Sequence, residues 1–107
     1  METSTAIVSL AALAQESRLA VFRLLVQAGP AGLAASKIAA ALAIAPSSLS
    51  FHLKELAHAD LVTATKAGRS IIYSANYERM NGLLAFLTEN CCGGLPCAAA
   101  PTGCRVP

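Results

Sequence analysis

Pro46-Ser47-Ser48-Leu49-Ser50-Phe51-His52-Leu53-Lys54-Glu55-Leu56 decides the fold. Proline sits where a first helical residue needs no amide hydrogen. Leu49, Leu53 and Leu56 then recur at helical spacing and make one apolar stripe. Ser47, Ser50, Phe51, Lys54 and His58 fall on the opposite face. The spacing predicts a helix from Pro46 to about Ala59 that buries leucine on one side and offers small polar groups on the other.

Upstream, Ser36 reads as the N-cap of a short helix from Lys37 to Leu42, with a break at Ala43 to Ala45. Two helices joined by so short a break form a helix-turn-helix. Before them, Thr5 to Ala14 reads as a first helix with Ile7, Leu10, Ala11 and Ala14 on one side. A second runs from Glu16 to Ala28 with Leu19, Phe22, Leu25 and Val26, and Gly29-Pro30 stops it. The periodicity changes after Asp60. Leu61 to Lys66 and Ser70 to Ala75 are rich in Val, Thr, Ile and Tyr, which favour strands, and Ala67-Gly68-Arg69 makes a hairpin tip between them. Asn76 caps a last helix from Tyr77 to about Asn90, with Met80, Leu83, Leu84 and Leu87 in a stripe. The fold class expected is mainly α with a small β-hairpin, a winged helix-turn-helix.

The chain has 107 residues, the size of one compact domain. Its apolar share of 55% is mostly Ala and Leu with few aromatics, which suits closely packed helices and a core completed by a second copy. The first and last helices, through Ile7, Leu10, Met80, Leu83, Leu84 and Leu87, are the expected seam of a homodimer. No apolar run has the length of a membrane span, so no membrane partner is expected. The N-terminus has no basic leader followed by an apolar stretch, which points to a cytoplasmic, reducing location. Net charge is only +2, but seven cations and four carboxylates lie between Gln15 and Arg79.

DNA is the partner those features suggest. A recognition helix places its N-terminal residues at base edges in the major groove. Ser47, Ser48 and Ser50 can exchange hydrogen bonds with bases or phosphates, and the exposed Phe51 can touch a thymine methyl. His52 lies between the two faces, equally suited to a phosphate contact or to packing with a hydrogen bond to backbone. Lys54 and Lys66 are expected on phosphates, and Arg69 at the tip of the hairpin in the adjacent minor groove. The expected division is residues 1–90 for DNA binding and dimerisation, and 91–107 for a C-terminal tail.

That tail carries the other chemistry. Cys91-Cys92-Gly93-Gly94-Leu95-Pro96-Cys97 holds three of the four cysteines, and none precedes Cys91. Gly-Gly and Leu-Pro let the chain fold three sulfurs onto one point. Thiolates select soft ions, and trivalent arsenic or antimony takes three sulfurs in a pyramid. As(III) or Sb(III) is therefore the expected inducer at Cys91, Cys92 and Cys97, with no constitutive cofactor. A methylated trivalent arsenical needs two thiolates and could use Cys91-Cys92 alone. Cys104 is either a fourth ligand or a bystander. A four-cysteine zinc or cadmium site is an alternative, although paired ligands in such sites are usually two to four residues apart. Thiol oxidation as the signal is another. An enzyme, such as a thiol reductase of arsenate, is not expected, because Cys91-Cys92 adjoins neither an Arg nor a helix N-terminus.

Glu16-Ser17-Arg18-Leu19-Ala20-Val21-Phe22-Arg23-Leu24-Leu25, Ser50-Phe51-His52-Leu53-Lys54-Glu55-Leu56, Leu61-Val62, Gly68-Arg69 and Tyr73 together resemble the ArsR-type (ArsR/SmtB) winged-helix metalloregulators. The resemblance covers about Ala11 to Cys97. It implies a homodimeric repressor of a metal-resistance operon that releases double-stranded operator DNA when an inducer ion binds. Glu89-Asn90-Cys91-Cys92 is similar to the arsenic-responsive subgroup whose cysteines follow the last helix. The chain departs from the founding subgroup in lacking a Cys-x-Cys pair near the recognition helix. It also has Asp60 where Gly is frequent, no Pro near Glu16, and the extra Cys104.

Overall fold

The computed structural model describes residues 1–94. Five helices and three strands follow in the order α1 (Thr3–Leu13), α2 (Glu16–Ala28), β1 (Leu33–Ala34), α3 (Ala35–Leu42), α4 (Pro46–His58), β2 (Val62–Ala67), β3 (Ser70–Ala75) and α5 (Tyr77–Leu87). The architecture is the expected one, mainly helical with a β wing after a helix-turn-helix.

Helix α2 is the central pillar. Its Val21, Phe22 and Leu25 are buried with Ile38 of α3 and with Leu49, Leu53 and Leu56 of α4. Leu61, Val62 and Ala75 close the same core beneath the wing. The predicted stripe of α4 is thus wholly inward. Pro46 stands in the first turn of α4, as read from the sequence. The turn into α4 depends on Ala43, held left-handed at φ 54° while the amide of Ile44 donates to the Ala39 carbonyl. The exit repeats that device. Asp60 is left-handed at φ 60°, and the Leu61 amide donates back to the Leu56 carbonyl at 3.0 Å.

Asn76 joins the wing to the last helix. Its Oδ1 accepts from the Arg79 amide as an N-cap, and its Nδ2 donates to the Asp60 carbonyl at 2.8 Å. Asp60 also pairs with Arg79 at 3.2 Å, an exposed contact of little energetic weight. The Tyr77 hydroxyl donates to the Val26 carbonyl at 3.0 Å and ties α5 to the end of α2. Removing both amide functions of the cap in Asn76→Ala is expected to lower stability by about 1–2 kcal/mol. Urea unfolding with an unchanged slope checks this.

Several sequence expectations need correction. The cap of α3 is Ala34, with no side-chain hydrogen bond, and Ser36 lies inside the first turn. Buried Ile38 holds the helix start by packing instead. The hairpin is part of a three-stranded sheet in the order β1-β3-β2, with Leu33 opposite Tyr73 and Ala34 opposite Ile72. Gly32 makes that pairing possible, since it sits at φ +71° and a Cβ there would strike the Tyr73 carbonyl oxygen. Helix α5 ends at Leu87 rather than near Asn90.

Helix α1 buries Ala6 and Ser9, whereas Ile7, Leu10, Ala11 and Ala14 of the expected stripe are exposed. On α5, Leu83 is buried while Leu84 and Leu87 are exposed at 53% and 55%. The two terminal helices therefore present apolar side chains outward. No single helix among the described residues is long and apolar enough to cross a membrane.

Candidate nucleic-acid interface and thiol tail

The burial pattern of α4 separates two faces cleanly. Leu49, Leu53 and Leu56 have almost no exposure, while Ser47, Ser48, Ser50, Phe51 and Lys54 are all exposed. Phe51 leaves 56% of its surface in solvent. A large aromatic in that position has an unfavourable contact with water until something covers it. It is braced against its neighbour, since the Phe51 and His52 rings meet edge to face with centroids 5.9 Å apart.

His52 is half-buried between the faces. Its Nδ1 is buried without a hydrogen-bond partner among the described residues, so the backbone bond considered from sequence is not made by this nitrogen. A buried ring nitrogen without a partner is costly. The packing role is carried by ring contact.

The wing carries the remaining cations. Lys66 lies on β2 opposite Ile71, and Arg69 lies in the two-residue turn that Gly68 opens at φ 62°. Both are exposed. Thr63 and Ser74 hydroxyls pair across the strands at 2.9 Å and stiffen the wing base. No ion pair involves Lys54, Lys66 or Arg69, so their charges are uncompensated within the described residues.

The sequence reading missed a groove of about 300 Å³ between the wing and the start of α3, which includes Ser36, Arg69, Ser70 and Tyr73 in its lining. It exists because β1 docks on β3, and a two-residue strand has no periodicity to find. Gly32 was the available signal. A second depression, about 290 Å³ and almost wholly apolar, lies between α2 and α5 over Phe22, Val26, Met80, Leu83 and Leu84. It continues the exposed face of α5.

Beyond α5 the chain turns sharply at Cys91–Gly94, with Asn90, Cys92, Gly93 and Gly94 all at positive φ. Cys91 is half-buried and Cys92 exposed. Cys97 and Cys104 lie outside the described residues. Among the described residues no three His, Cys, Asp or Glu side chains form a group able to hold a metal ion.

The comparisons with known proteins agree with this layout. Residues 13–64 match the model of a helix-turn-helix domain family. No curated protein matches in sequence. Among solved structures, an ArsR-like transcriptional regulator from Rhodococcus sp. RHA1 is 26% identical at a TM-score of 0.73, over 95% of this chain and 93% of that one. HlyU from Vibrio cholerae is 27% identical at 0.66, over 86% and 99%. The homodimeric winged helix-turn-helix DNA-binding domain of a possible ArsR-family transcriptional regulator from Mycobacterium bovis is 26% identical at 0.65, over 81% of each chain.

Proposed function

We propose that the chain is a DNA-binding transcriptional regulator of the ArsR/SmtB type rather than an enzyme, and that it is a homodimeric repressor relieved by trivalent arsenic or antimony. The observation that best supports DNA reading is the division of α4 into a buried leucine face and an exposed face of Ser47, Ser48, Ser50, Phe51 and Lys54. Those side chains enter the major groove, with Lys54 and Lys66 on phosphates and the wing beside them. His52 stiffens the helix through Phe51.

One helix reads few base pairs. A two-fold dimer sets two recognition helices one DNA turn apart, about 34 Å, on an inverted repeat. The outward apolar residues of α1 and α5 supply its seam, and the Mycobacterium bovis relative is homodimeric. The tail from residue 91 to 107 is the sensor. Thiolates of Cys91, Cys92 and Cys97 take As(III) or Sb(III), releasing protons as they bind. The turn at Cys91–Gly94 follows α5 after three residues, so ordering the tail pulls on the seam and changes the spacing of the two α4 helices. The ion must favour the DNA-incompetent state, by about 1–3 kcal/mol on the usual scale of such coupling.

The first test is selection of duplexes from a random library by the metal-free chain. An inverted repeat bound by two chains is expected, with half-sites about one helical turn apart. Enrichment of single half-sites bound by one chain, or no enrichment, contradicts the reading.

A further inference from the structure

Helix α4 lacks most of the side chains that read bases by paired hydrogen bonds. It contains no Arg, Asn or Gln, the residues that bind guanine or adenine through two bonds at once. Its one lysine, Lys54, stands two turns from the helix start, and His58 is the last helical residue, whereas base edges meet the N-terminal part of a recognition helix. What remains there are Ser47, Ser48, Ser50 and Phe51, all exposed. A serine hydroxyl donates as readily as it accepts. It therefore suits the O4 acceptor of thymine and the N4 donor of cytosine alike.

Phe51 stands in the middle of this face. Ser47 and Ser48 lie one helical turn before it and Lys54 one turn after it. It is the bulkiest side chain on the face, yet 56% of its surface meets water. Its ring rests edge to face on His52 with centroids 5.9 Å apart, and His52 is half-buried with its Nδ1 enclosed. A ring already held in this way gives up little freedom when it makes a contact. A phenyl ring has no donor or acceptor for a base edge. The apolar group that a base pair presents in the major groove is the methyl on C5 of thymine. Cytosine methylated at C5 presents the same group in the same place.

We infer that Phe51 is the specificity-determining residue of α4, and that it reads the methyl group on C5 of a pyrimidine, in thymine or in 5-methylcytosine alike. The inference rests on the DNA-binding reading and deepens it. The base that decides affinity in each half-site is a methyl-bearing pyrimidine, and duplexes methylated on cytosine become partners of the chain. The purine opposite changes when 5-methylcytosine replaces thymine, but no Arg, Asn or Gln of α4 faces it. This face therefore discriminates methyl from hydrogen at C5 more strongly than thymine from 5-methylcytosine.

The test uses the full-length metal-free chain and the duplex selected from the random library. Each thymine of the half-site is replaced in turn, in both halves at once, by uracil, by cytosine and by 5-methylcytosine, each with its matching purine. Anisotropy gives the affinity of wild type and of Phe51→Ala for every duplex. At one position, wild type should lose about fourfold per methyl between thymine and uracil, and about fifteenfold for the two half-sites together. 5-Methylcytosine should exceed cytosine there by the same factor. Phe51→Ala should bind the thymine and uracil duplexes equally, and the two cytosine duplexes equally. Because the variant meets the same duplexes, its ratios remove any effect of the methyl group on the DNA itself.

The inference is overturned if no thymine position shows the methyl effect, or if 5-methylcytosine binds no better than cytosine at the position that does. It is overturned equally if Phe51→Ala keeps the wild-type ratios, or if the selected half-site contains no thymine. Phe51 lies outside the buried cluster, so the variant should melt as wild type does; the comparisons among duplexes with wild type decide the matter even if it does not. Failure of the wild-type chain to bind any duplex would instead refute the DNA-binding reading.

Discussion

Leu56→Ala is expected to cost about 2–5 kcal/mol of stability, a large share of the roughly 5–15 kcal/mol that holds a domain of this size. Leu56 has no exposed surface and packs in the cluster that joins α2, α4 and the wing base. Its carbonyl also receives the Leu61 amide at the end of α4. Truncation leaves a cavity bounded by helices that are held from both sides, so collapse is limited and the loss falls at the upper part of that range. The exposed face of α4 is untouched. DNA affinity measured well below the unfolding transition should therefore remain near wild type. Denaturant unfolding with an unchanged slope gives the value. A loss below about 1 kcal/mol would mean that α4 is not anchored through its leucine stripe.

Serine in place of the tail cysteines has the largest expected functional effect. Cys91→Ser, Cys92→Ser and Cys97→Ser should each bind the selected duplex as wild type does and fail to release it on addition of arsenite. Serine is close to cysteine in shape but offers a hard oxygen to a soft ion. Cys92 is exposed and is not part of the buried cluster, so its loss should leave the fold alone. Cys104→Ser separates the metalloid site from a four-thiolate zinc site: it should leave the arsenite response intact and would weaken a zinc response. Variants that still release DNA with arsenite would remove the tail from the switch.

The parts of the fold that were legible had periodicity or an end signal. Leu49, Leu53 and Leu56 gave α4, Pro46 its start, and Asn76 the start of α5, because each is a local rule obeyed locally. Strand-favouring Val, Thr, Ile and Tyr gave β2 and β3. Strand β1 was not legible, since two residues carry no pattern and its pairing depends on tertiary approach at Gly32. The cap of α3 was misplaced because Ser36 is a good capping residue, yet packing of Ile38 and the β1 pairing set the boundary earlier. On α1, spacing identified the stripe of Ile7, Leu10 and Ala11 but could not say whether its own chain or a second copy covers it.

The site divides in the same way. Ser47, Ser50, Phe51 and Lys54 follow from helical phase, and they and Ser48 are exposed in the structure. Lys66 and Arg69 follow from the hairpin. The groove lined in part by Ser36, Arg69, Ser70 and Tyr73 forms only once β1 has docked, so no spacing rule could have found it. The thiols were visible as a cluster in sequence, and two of them open the turn that follows α5.

In the proposed switch, a trivalent metalloid bound by tail thiolates releases DNA. The most direct test of the switch is arsenite titration of the wild-type complex on the selected duplex, with bound arsenic and anisotropy followed in the same samples. Anisotropy should fall to the free-DNA value as arsenic saturates at one per chain, and X-ray absorption of the saturated sample should give sulfur alone around arsenic. DNA that stays bound in excess arsenite, or leaves while arsenic keeps only oxygen neighbours, contradicts the account.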